Sequence, residues 1–232
     1  ALASAIGEGQ RILNGMQDIL RVFLTRILTL GMLILVLMTS GFFPVDLRNA
    51  SAITLFTVGI PTAMLAIWAR PGPFLGESLL RTLAKFVLPA ASLASIIGRL
   101  VVTGVFFIGD ADFEAGLVTE EMVEESAKTS VTVFLILVGM LVVIFVEPPV
   151  KLLAVIEPLS PDWRPTWLAL SLTAALGIVL LVSPFRDFFN LHPLSIRDLA
   201  IVFAGVLAWA VLVWIFWRWR FVERFLGAGR DT

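Results

Sequence analysis

Six stretches of this 232-residue chain run for 18 to 24 residues with at most one charged side chain each. They are Ile27–Val45, Asn49–Ala69, Phe86–Gly109 (interrupted only by Arg99), Thr129–Val146, Pro165–Phe185 and Leu199–Trp217. A helix crossing the hydrocarbon core of a bilayer needs about 20 mostly apolar residues, so each run is long enough to span. The fourth, VTVFLILVGMLVVIFV, is so rich in Val and Ile that in water it would read as a strand. In lipid an unpaired strand leaves its backbone groups unsatisfied, and helix prevails. The expected fold is therefore all-α: a polytopic membrane bundle of six transmembrane helices, the first extended into the cytoplasm. Composition agrees, with 59% hydrophobic and 15% charged residues, against about 45–50% and about 25% in soluble domains. The same values exclude a disordered chain.

A net charge of −1 gives no basic footprint for nucleic acid. The absence of Cys and the single histidine, His192, exclude disulfides, thiolate chemistry and a multi-histidine metal centre. Connections between the runs are short and carry turn residues: Gly41, Pro44 and Asp46; then Arg70-Pro71-Gly72-Pro73; then Pro148-Pro149, Pro158, Pro161 and Pro165. No signal peptide is visible, and a start at ALASAIGEGQR without Met reads as a piece excised from something longer. Orientation follows from Lys and Arg. Twelve lie on one side (Arg11, Arg21, Arg26, Arg70, Arg81, Lys85, Lys151, Arg164, Arg218, Arg220, Arg224, Arg230) and four on the other (Arg48, Lys128, Arg186, Arg197). The bias puts both termini in the cytoplasm and the chain in the plasma membrane. Trp68, Trp163, Trp167, Trp217 and Trp219 fall at the inner helix ends, where amphipathic rings settle.

Residues 6–26 are amphipathic. Asn14, Asp18, Arg21, Thr25 and Thr29 recur at spacings of four, three, four and four, one face of a helix. With no Pro or Gly between Met16 and Leu30, the simplest reading is a cytoplasmic stalk over 1–26 running unbroken into the first span. The alternative is a helix lying flat in the interface. The membrane domain would then cover 27–217 and a basic cytoplasmic tail 218–232. In the second span, Pro61 deprives the carbonyl of Thr57 of its helical partner and its ring presses on that turn. Gly59 eases unwinding, and Thr54, Thr57 and Pro61 share a face. Freed backbone at that depth is tolerated where it is buried in protein or lines a wet cavity, and discontinuous helices of this sort bound ion sites. A purely structural kink is the competing reading.

The segment Glu8-Gly9-Gln10-Arg11-Ile12-Leu13-Asn14, followed by one unbroken stalk-and-span helix, resembles the approach to the fifth transmembrane helix of P-type cation-transporting ATPases. Thr57-Val58-Gly59-Ile60-Pro61-Thr62-Ala63-Met64-Leu65-Ala66 resembles the sixth helix of bacterial pumps in that superfamily, and six spans match its helices five to ten. By motif the resemblance covers residues 1–70; beyond that it is topological. It implies ATP-driven cation transport through an aspartyl phosphate, with ATP and Mg²⁺ acting in the parent protein. The phosphorylation, dephosphorylation and Mg²⁺-binding motifs of the family are absent here, so the chain alone would not hydrolyse ATP. Implied partners are the bilayer, the transported cation, and the N-terminal membrane helices and cytoplasmic domains of the parent. Thr25, Thr29, Thr54, Thr57, Pro61 and Thr62 would line or shape the cation path. Many calcium and sodium pumps carry an Asp near the position of Gly59 or Pro61, whereas no carboxylate lies within 27–45 or 49–69 of this chain. A hard cation wants oxygen ligands that include carboxylates. Either that charge comes from the missing fourth helix, or hydroxyls and carbonyls coordinate the ion. A self-contained six-helix scaffold subunit or passive channel is the alternative of another class.

Two charged residues are secondary candidates. Arg99 inside the third span costs about 2.5–3.5 kcal/mol on insertion scales; it pairs or snorkels, or else acts as a built-in cation. Glu147 at the end of the fourth span is either interfacial or an entry-gate ligand. Seven carboxylates between Asp110 and Lys128 form a solvated cap or a cation-attracting vestibule. His192 reads as structural, and Arg218 to Arg224 as an anchor to anionic lipid. Asn49-Ala50-Ser51 matches a glycosylation pattern by chance.

Overall fold

The computed structural model describes residues 2–69, 79–149 and 162–219. Among them there is no strand, and six helices are long and apolar enough to cross a membrane. The Arg70–Pro73 and Pro158–Pro161 turns and the tail from Arg220 onward lie outside the described residues.

The first helix, α1 (Leu2–Met38), is continuous, as the lack of helix breakers over that length predicts. It ends in a turn at Gly41, whose φ of 71° suits glycine. The second span is built in three pieces: α2 (Leu47–Thr54), a π turn (Leu55–Gly59) and α3 (Ile60–Trp68). The remaining helices are α4 (Leu79–Glu114), α5 (Glu120–Val146), α6 (Arg164–Leu181), the short α7 (Ser183–Phe188) and α8 (Ile196–Arg218). The fifth span therefore closes at Leu181 rather than Phe185, because Pro184 begins a separate helix. The first closes at Met38, short of the uncharged run's end at Val45.

The Val- and Ile-rich α5 is the axis of the bundle, in contact with α1, α2, α4, α6 and α8. Its residues from Thr129 to Val138 are buried all round, which explains a sequence apolar on every face. Toward its C-terminal end, Phe145 meets the rings of Trp209 and Trp217 edge-on at 6.1 and 5.1 Å, and Trp217 stacks on Phe86 of α4 at 4.7 Å. The Trp209 indole also donates to the Ala90 carbonyl at 3.0 Å. Trp217 is thus a core residue, not the interfacial anchor expected for it. Trp163, Trp167 and Trp219 remain exposed. The opposite end of α8 is fixed by a capping box, in which the Ser195 hydroxyl accepts from the Asp198 amide and the Asp198 carboxylate accepts from the Ser195 amide.

The packed part of α1 begins well before its uncharged run. A Cβ on Gly15 would lie 2.8 Å from Ala69 Cβ, and Arg11 donates to the Ile67 carbonyl at 3.1 Å. The end of the second span is therefore level with Gly15, and Arg21 to Arg26 run beside that span rather than below it. Their charges did not end the packed segment because each finds a polar partner: Arg21, buried, pairs with Asp18 at 2.9 Å, and Arg26 reaches Thr54.

At the other end of the bundle, Lys128 gathers Glu124 at 2.9 Å, Glu125 at 3.1 Å and Asp46 at 4.0 Å, and Arg197 meets Asp112 at 3.4 Å. The Thr129 hydroxyl accepts from the His192 amide. Asn49 is fully buried; with its amide nitrogen turned to them it donates to the carbonyls of Phe189 and Asn190. Buried in this way, it serves as a tie between α2 and the segment after α7 rather than as a glycan acceptor.

Candidate functional site

Pro61 weakens the second helix without breaking it. The helix widens into the π turn over Leu55–Gly59, where the Ile60 amide donates five residues back to Leu55. Such turns insert one extra residue into the helical ladder and are frequent at functional sites. Pro61 itself is buried just past this turn.

The turn faces α1 and α5. Thr57 packs directly on Gly139: a Cβ there would come within 2.5 Å of the Thr57 methyl and 2.8 Å of its Cβ. Small residues at such crossings let membrane helices approach closely. Between Thr57, Gly139 and the Val22–Leu30 segment of α1 lies a cavity of about 20 Å³, lined by Thr25, Arg26, Thr29 and Thr57 among apolar side chains. One water needs about 10–15 Å³, so the cavity admits about one. The Thr25 hydroxyl donates to the Arg21 carbonyl at 2.7 Å, and that of Thr57 to the Ile53 carbonyl at 2.6 Å. With those protons committed within their own helices, the oxygens keep lone pairs free as acceptors.

Three of the six residues expected along the path, Thr25, Thr29 and Thr57, therefore converge. The other three stand apart. Thr54 lies exposed on the rim, donates to the Ala50 carbonyl and accepts from Arg26 at 2.5 Å. The Thr62 hydroxyl donates to the Val58 carbonyl at 2.7 Å, beyond the π turn. Pro61 shapes the turn without lining the cavity. Arg99 is elsewhere: its guanidinium donates to the Val36 carbonyl at 3.3 Å and to the Ser40 hydroxyl, across the end of α1. It places a cation at a helix C-terminus, where the helix dipole welcomes one. Glu147 is the residue after the last turn of α5, well removed from Gly139.

Two members were missed in the sequence. Gly139 carried one weak signal, a small residue inside an otherwise bulky apolar run. Arg26 counted only as a cytoplasmic positive charge. Among the described residues, no three His, Asp or Glu side chains are grouped to hold a metal ion, and the cavity contains no carboxylate. Its donor set is hydroxyl oxygen beside one guanidinium. Comparison with known proteins finds no match for this chain, either among family models or among curated sequences.

Proposed function

We propose that this chain is the C-terminal membrane portion of an ATP-driven cation pump of the P-type class, sited in the plasma membrane with both termini cytoplasmic. The observation that carries the reading is the juxtaposition at the π turn. A proline-weakened helix, three threonines and the packing glycine of the central helix meet on one continuous helix that projects beyond its neighbour. A rigid α1 conveys movement of a cytoplasmic domain to Thr25 and Thr29, and the π turn yields where it is pressed. ATP and Mg²⁺ act in the cytoplasmic part of such a pump; this chain supplies hydroxyl oxygens and the mechanical link, with carboxylate ligands contributed by preceding helices.

The test uses the full-length parent. Thr57→Val removes the oxygen at nearly constant shape, and Pro61→Ala restores the amide that lets the helix regularise. Each is expected to weaken cation activation of ATP hydrolysis at least tenfold while leaving expression intact. Unchanged activation by the cation in both variants would overturn the assignment.

A further inference from the structure

Three helix ends leave a hollow at the end of the bundle away from Gly15. α1 stops at Met38 and Gly41 turns the chain, while α4 runs on to Glu114 and α5 begins at Glu120. Gly109 lets those two helices lie close, because a Cβ there would run into the Val123 methyls. The hollow measures about 490 Å³, inside the range of about 300–1,000 Å³ usual for pockets that take small organic ligands.

Its lining recurs at helical spacing. Phe106, Asp110 and Phe113 stand four and three residues apart on α4, and Glu120 and Glu124 four apart on α5, so each set shares a face. Phe42, from the turn after α1, meets Phe106 edge-on at 5.2 Å, and Phe113 is left 50% exposed. The wall is aromatic and acidic together, and among the described residues no Lys or Arg lines it. The cations nearby are engaged: Lys128 is shared among Glu124, Glu125 and Asp46, Arg197 meets Asp112, and Arg99 bonds the Val36 carbonyl and the Ser40 hydroxyl.

We propose that this hollow binds a small organic cation, an ammonium carried on an apolar or aromatic body. The wall selects against the alternatives. A hydrated metal ion gains nothing from phenyl rings, and the carboxylates are not grouped to hold one. A neutral apolar molecule leaves the carboxylates uncompensated, and an anion is repelled. An organic cation satisfies both kinds of wall, since ring faces attract a cation within about 6 Å and the carboxylates supply the opposite charge. The inference stands apart from the pump reading, because binding here needs neither ATP nor a transported ion.

The protein in dodecyl maltoside micelles, which contain no ammonium group, is titrated by calorimetry with benzyltriethylammonium, with the uncharged N,N-diethylbenzamide and with Ca²⁺, against protein-free micelles as the blank. Benzyltriethylammonium is expected to bind at least tenfold more tightly than the other two. Asp110→Asn/Glu120→Gln should weaken it at least tenfold and Phe113→Ser at least threefold. Glu121→Gln, at an exposed carboxylate outside the hollow, should leave it unchanged. Equal binding of ammonium and amide, Ca²⁺ binding as tight as that of the ammonium, or no binding above the blank overturns the proposal. So does an affinity that survives Asp110→Asn/Glu120→Gln, or displacement of the ammonium by added phosphatidylcholine, which would make a lipid head group the occupant. The comparison of the three ligands uses the unsubstituted protein, so a misfolded variant does not rescue the idea.

Discussion

The central helix α5 and the α1–α2 edge are both apolar and both cross the bundle, yet they are built on different terms. In α5, 83% of the most apolar stretch is enclosed by other helices; in α1 and the second span the shares are 28% and 33%. The centre is held by aromatic rings and interdigitated Val, Leu and Phe, and close packing of that kind tolerates neither voids nor added volume. The edge is held by hydroxyls bonded within their own helices, a π turn and one tight Thr57–Gly139 crossing. Elements with few enclosing contacts open at lower free energy than the core. By that share α8, at 17%, is no better enclosed than the edge; what joins it to α5 and α4 is the ring cluster of Phe86, Phe145, Trp209 and Trp217. The contrast therefore places movement at the π turn of the second span, against a back made of α5 and the parts of α4 and α8 that this cluster ties to it.

The strongest way to break this division is Trp209→Ala. Trp209 is fully buried, meets Phe145 edge-on and bonds the Ala90 carbonyl. Its removal is expected to cost about 3–5 kcal/mol, measured by reversible unfolding in mixed micelles. A loss below about 1 kcal/mol would mean that the back is not rigid. Next comes Gly205→Ala, where the new methyl would sit 2.7 Å from a Val101 methyl with Ile97 and Phe134 behind it. Overpacking in such surroundings costs about 1–3 kcal/mol.

Gly139→Ala makes the same change at the edge. The nominal clash is worse, 2.5 Å to the Thr57 methyl, but the second span can move outward. The expected loss is therefore smaller, about 1 kcal/mol, and most of it should return in Gly139→Ala/Thr57→Ser, which deletes that methyl and keeps the hydroxyl. Coupled neighbours typically show interaction energies of about 0.5–3 kcal/mol. If Gly139→Ala proves as costly as Gly205→Ala and Thr57→Ser gives no recovery, the edge is as stiff as the centre.

The residues of these two regions also separate what was legible in the sequence from what was not. Six spans were readable because length and absence of charge are properties of one stretch at a time. Pro61 marked the weak turn for the same reason. That the helix would widen rather than break, with the Ile60 amide reaching back to Leu55, and that Thr57 would then meet Gly139 are features that no local pattern encodes. Arg21 and Arg26 read as solvent-facing because a charge in sequence carries no record of its partner; Asp18 and Thr54 keep them inside the packed region. Trp217 and Trp219, two positions apart, looked alike, and only the helical face separates a ring stacked on Phe86 from one left exposed.

The smallest expected effect lies at one of the side chains that join back and edge, beside the Ser95 hydroxyl of α4, which donates to the Thr29 carbonyl of α1 at 3.1 Å. Arg99 belongs to α4 and reaches across to the Val36 carbonyl and Ser40 hydroxyl at the end of α1. A cation at a helix C-terminus contributes about 0.3–1 kcal/mol, and the last carbonyls of a helix need partners from outside it. Arg99→Gln keeps a donor and removes the charge, so a loss of about 0.5 kcal/mol is expected. Faster amide exchange should be confined to the turn around Ser40 and Gly41, whose amides bond back to Leu37 and Met38. If exchange instead quickens along α1 as far as Thr25 and Thr29, the end of α1 is coupled to the cavity, and Arg99 restrains the hinge as well as capping the helix. An unchanged pattern throughout would leave Arg99 with no part in joining the two regions, and the link between them would rest on the packing of α1 along α4, the Ser95 bond to the Thr29 carbonyl and the Thr57–Gly139 crossing.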